Sequence, residues 1–181
     1  MGKLPKVIAM LGFLGVIGVP AAVEAQTPQT RDGFWFNVGL GYGSLGCQDC
    51  DSRLGGVSGS LALGGTLSDR VLLGAGSNSW YKEDADGATL TASTLSATVR
   101  FYPSRTGGFF LLGGLGVGVI EISDPVLETE TETGGSAILG LGYDFRVARN
   151  VSLTPYWNGV GISSANADAN FGQIGLGLTV H

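Results

Sequence analysis

Only one histidine, His181, occurs in 181 residues. A Ser-His-acid or Cys-His arrangement needs its base beside the nucleophile, and a base confined to the last position leaves any mid-chain serine without one. Enzyme activity is not expected, and no residue pattern calls for a cofactor. Two cysteines, Cys47 and Cys50, are too few for a disulfide-stapled scaffold and fall short of the four ligands of a structural zinc. Charged residues make up 14% of the chain and the formal net charge is −5, which leaves no basic surface for nucleic acid. Past residue 25, nothing approaches the roughly 18 unbroken apolar residues of a membrane helix.

What is present begins with the leader "MGKLPKVIAMLGFLGVIGVPAAVEAQ". Lys3 and Lys6 precede an apolar run from Val7 to about Val19, and small residues follow up to Val23-Glu24-Ala25. This is the tripartite pattern of a secretory signal, and cleavage is expected after Ala25. Residues 1–25 are then the signal peptide and 26–181 the single mature domain. No cysteine follows the leader closely, so a lipid anchor is not expected.

The exported part is rich in glycine, with 32 in the chain, and 44% of all residues are hydrophobic. Residues 107–123, "GGFFLLGGLGVGVIEIS", show how the two combine. As a helix the run is poor, because each interior glycine costs about 1 kcal/mol against alanine. Read with a period of two, it separates. Phe109, Leu111, Leu115, Val117 and Val119 share one face, and Phe110, Leu112, Gly114, Gly116, Gly118 and Ile120 share the other. Seven further runs alternate in the same way, starting at "FWFNVGLGYGS", "VSGSLALGGTL", "VLLGAGSNSWYK", "TASTLSATVRFY", "AILGLGYDFR", "VSLTPYWN" and "FGQIGLGLTVH".

The connections alternate as well. "GTLSDR", "PSRTGG" and "VARNV" are tight turns, while "GCQDCDSRLGG", "KEDADGAT", "SDPVLETETETGG" and "SSANADAN" are long and polar. An even set of dyad-patterned strands with short turns at one end and long loops at the other is the pattern of a transmembrane β-barrel. The expected fold is all-β: an eight-stranded antiparallel up-and-down transmembrane β-barrel. Its oily face meets lipid, and its glycine-rich face lines a narrow interior. Phe34, Phe36, Phe101, Phe109, Tyr143 and Phe145 fall on the oily face at short-turn ends, with Tyr42 and Tyr81 near long loops, as two interfacial girdles would.

At "ATVRFYPSRTGGFFLLGGLGVG" the chain resembles the central hairpin of small outer-membrane β-barrel proteins, the OmpA/OmpX-like family. The ending "GLGLTV" is similar to the sorting signal such proteins show to the barrel assembly machinery, with Gly175, Leu178 and Val180 in its fixed places. The family usually ends on an aromatic, and this chain ends on His181. The resemblance implies a monomer in the cell outer membrane, in contact with its lipid and lipopolysaccharide, with both termini in the periplasm.

Four residues stand out on the inward face near the short turns: Arg100, Tyr102, Asp144 and Arg146. They read as an interior plug, because charges in so narrow a lumen must pair, or else as the gate of a pore. Whether Trp80, Phe110 and Tyr156 fill the middle is open at this level. Cys47 and Cys50 read as a disulfide at a loop tip, ahead of a redox or zinc pair. Protein taken from the envelope without reductant should therefore label with no thiol reagent, and stoichiometric labelling would refute the pairing. The long loops hold eleven carboxylates against Arg53 and Lys82. They form either a solvated repulsive rim or one that holds divalent cations against lipopolysaccharide.

The expected role is structural or surface-interacting. A narrow pore or hydrophobic-ligand channel is the first alternative, and a periplasmic lipocalin-like binding barrel, which needs its faces reversed, the second. Leu115→Arg is expected to harm insertion far more than Gly116→Ala.

Overall fold

A computed structural model describes residues 31–47, 52–84, 87–123, 129–165 and 168–181. The leader over residues 1–25, Cys50 and the side chain of Cys47 lie outside the described residues. The strands are β1 (Phe34–Cys47), β2 (Leu54–Ser68), β3 (Val71–Glu83), β4 (Thr89–Phe101), β5 (Phe109–Ser123), β6 (Glu130–Tyr143), β7 (Phe145–Ala148), β8 (Val151–Ser163) and β9 (Asp168–Val180). Each is antiparallel to its neighbours, and β1 pairs with β9 to close the ring, Val38 opposite Leu178. Closure leaves no unpaired edge, which a bilayer requires.

The nine segments make eight staves. Both β6 and β7 pair with β8, Gly142 opposite Tyr156 and Phe145 opposite Leu153. Between them Asp144 leaves the ladder, and its N–H donates across to the Gly108 carbonyl at 2.9 Å. Tyr143 and Asp144, adjacent in the chain, thus face opposite ways. Tyr143 is 41% exposed, while Asp144 is 1%.

The period of two sets the sidedness throughout. Leu115, Leu139 and Ile174 point outward at mid-height and are 70% exposed or more. The six aromatics of the short-turn girdle are exposed as well. Inside, alternation brings Trp35, Leu72, Tyr102 and Phe110 together near the short turns. Leu45, Trp80, Ala92, Ile138, Val160, Ile162 and Phe171 pack together nearer the long loops.

Glycine is the counterpart of these large rings. A Cβ on Gly56 would stand 2.7 Å from Trp80, and one on Gly142 would stand 2.5 Å from Phe110. Eight strands enclose little room, so these rings lie where an opposing side chain is missing. The inward glycines do not border an open lumen. Some of them, such as Gly56 and Gly142, seat the aromatics that fill it, and others, such as Gly116, let the backbone of a neighbouring strand approach.

Candidate functional site in the barrel interior

At the short-turn end, cations and rings stack in a column. The Arg31 guanidinium lies 3.5 Å from the centre of the Tyr102 ring, and the Tyr102 and Phe110 centroids are 5.5 Å apart. Arg100 follows, 4.9 Å from Phe110 and 4.5 Å from Trp35. Such contacts are worth about 0.5–2 kcal/mol each, more when water is excluded. Arg31 also donates to the carbonyls of Gly107 at 2.5 Å and Arg105 at 3.3 Å. The segment ahead of β1 therefore folds back under the barrel mouth.

Beside the column stands Asp144. Its carboxylate accepts from the Tyr102 hydroxyl at 2.8 Å and from the Thr154 hydroxyl at 2.7 Å, and His181 Nε2 stands 3.6 Å away. Thr154 and Thr179 share a 2.7 Å hydrogen bond, and Asn37 donates to Thr179 at 2.8 Å. Of the four residues singled out from the sequence, Tyr102 and Asp144 are directly bonded, and Arg100 is buried in the adjoining column. Arg146 reaches toward the turn, where its Nε donates to the carbonyls of Arg149 at 3.0 Å and Ala148 at 3.4 Å.

Three participants, Arg31, Thr154 and His181, are not placed in this cluster by the sequence. Arg31 precedes the first alternating run, so periodicity does not reach it. Thr154 is one of several inward hydroxyls and carries no mark of its own. His181 did carry a signal: odd positions of β9 face inward, and His181 continues that parity to a side chain 5% exposed. Gly175 of the expected sorting signal faces inward, against Tyr156, while Leu178 faces out at 47% exposure.

Above this layer lies a polar belt. Asn78 Oδ1 accepts from Gln173 at 2.8 Å and from Asn158 at 3.2 Å. The apolar layer around Trp80 and Phe171, both at most 1% exposed, then closes the long-loop end. His181 Nε2 faces the Asp144 carboxylate, and neither ring nitrogen bonds a hydroxyl among the described residues. Among the described residues no group of three His, Cys, Asp or Glu side chains could hold a metal ion.

The model of the outer membrane protein beta-barrel domain family matches residues 10–181. The chain belongs to that family. It is a small eight-stranded outer-membrane barrel of the OmpA/OmpX-like type, and its location is the outer membrane. Neisserial surface protein A is similar in structure, with a TM-score of 0.62 at 15% identity, covering 84% of this chain and 99% of the other. The attachment invasion locus protein Ail of Yersinia pestis, solved with the heparin analogue sucrose octasulfate, is similar with a TM-score of 0.54 at 13% identity, covering 81% and 99%. No curated protein matches the sequence. At these identities the likeness is one of fold. The family membership overturns the lipocalin-like alternative, as does the outward apolar face, since a soluble barrel keeps that face inside.

Proposed function

We propose that this outer-membrane barrel is a non-conducting, non-enzymatic surface protein that anchors in the bilayer and presents acidic loops outside the cell. The observation that carries this reading is the filled interior: the Arg31–Tyr102–Phe110–Arg100–Trp35 column at one end and the Trp80–Phe171 layer at the other. A pore would need both layers to part. In this reading the leader is removed after Ala25 and both termini face the periplasm. Cys47 and Cys50 are then a loop disulfide in the oxidising envelope.

Loop charge says what kind of partner suits the outer rim. Glu83, Glu121, Glu130, Glu132 and Asp168 lie at or near the long-loop ends of their strands. The nearby Lys82 is held by Asp84 at 2.8 Å. The Yersinia protein was solved with a sulfated sugar analogue, but a rim of carboxylates repels polyanions. Cationic partners fit it better: basic protein surfaces, or divalent cations shared with lipopolysaccharide.

Single-channel recording in planar bilayers tests the central claim. Purified, folded protein should give no steady open level across a wide voltage range. A stable, well-conducting channel would overturn the reading and put the narrow pore first.

A further inference from the structure

Between the two layers lies a cavity of about 20 Å³, lined by Asn37, Ser60, Asn78, Arg100, Tyr156 and Asn158 among others. A site of that size takes one small ligand, since a single water needs roughly 10–15 Å³ in this measure. What surrounds it is an excess of donors. Arg100 is 4% exposed, yet its Nε and Nη1 have no hydrogen-bond partner. The hydroxyls of Ser60 and Tyr156 stand beside each other in the same lining and have no further partner. Two neighbouring acceptors are engaged, since Asn78 Oδ1 takes two N–H groups and the Asp144 carboxylate takes two hydroxyls, while Gln173 Oε1 has no partner.

A buried guanidinium with two idle nitrogens is costly unless something accepts from them and offsets the charge. Trp35 and Phe110 flank it without supplying a lone pair. Water would accept from these donors but would bring two more donors and no charge. Asp144 is a single carboxylate against two buried guanidiniums, Arg31 and Arg100, so a monatomic anion, which accepts from several donors at once, would balance the second, whereas sulfate or phosphate is too large. We propose that the barrel interior binds a single halide ion, chloride in the cell, held by Arg100 with Ser60 and Tyr156 as neutral donors. The ion would complete the interior, fixing Arg100 between its two rings.

The test uses the full folded protein in detergent. Crystals grown in bromide should show an anomalous peak in this cavity, within hydrogen-bonding reach of Arg100 Nε or Nη1. Protein refolded in potassium chloride should unfold at a higher temperature, by gel mobility, than protein refolded in potassium gluconate of equal ionic strength, because a ligand of the native state alone stabilises it. Arg100→Gln should abolish both the peak and the halide dependence. Where that variant fails to fold, Tyr156→Phe keeps the ring and should weaken halide affinity about tenfold. No anomalous density would overturn the proposal. So would a peak with identical unfolding temperatures in chloride and gluconate, which marks an adventitious ion only.

Discussion

Leu115→Arg should leave most of the protein unable to insert into lipid vesicles, with the folded, heat-modifiable band lost at urea concentrations where the parent protein remains folded. Leu115 sits at the middle of β5, is 72% exposed, and pairs with Ala97 and Ala137, two small residues that cannot shield a charge. Arginine on the lipid face at mid-height costs about 2–4 kcal/mol. Gly116, one residue on and facing inward, is not the mild site that its size suggests. A Cβ there would run into the Leu95 carbonyl oxygen and stand 2.5 Å from the Ser96 Cα, both backbone atoms of β4. Backbone cannot swing aside as a side chain can, so Gly116→Ala should cost about 1–3 kcal/mol. The milder expectation drawn from the sequence is therefore corrected. Parent-like urea stability for Leu115→Arg would refute the lipid-facing assignment, and for Gly116→Ala the close approach of β4 and β5.

Asp144→Ala should be the most damaging inward substitution, at about 3–5 kcal/mol, because it removes a buried charge whose partners stay behind. The hydroxyls of Tyr102 and Thr154 would lose their acceptor, and the arginines of the column their nearby carboxylate. The urea midpoint should fall sharply, and bilayer recordings should show brief flickering where the parent protein is silent. Asp144→Asn keeps an acceptor for one hydroxyl and should fall between the two. An Asp144→Ala protein that unfolds like the parent would show that the carboxylate is not what ties this end together.

Sidedness was legible residue by residue, because a strand's side chains alternate whatever their neighbours are. Leu115 outward and Phe110 inward follow from counting. The eight staves were legible for the same reason, with turn residues as punctuation. Three features lay beyond counting. Asp144 leaves the ladder because its N–H pairs with Gly108, just ahead of β5, a long-range event with no local signature. Arg31 docks from outside any alternating run. Several rings inside are seated by glycines on other strands, as Gly142 seats Phe110, so glycine that reads as empty space in the sequence can mark where a ring sits.

The seam between first and last strands also sets an order of events. Asn37 and Thr179, bonded at 2.8 Å, are 142 residues apart in the chain. Thr179 in turn bonds Thr154, and His181 comes to Asp144 from the same last strand. The Asn37–Thr179 bond cannot exist until β9 has arrived beside β1, whereas the other two need only β9 on β8; a contact so distant in sequence comes late because closing a long loop precedes any gain from it. Until the ring closes the short-turn end is therefore unlatched, with Thr179 lacking Asn37. The same stitch that closes the wall turns the lock.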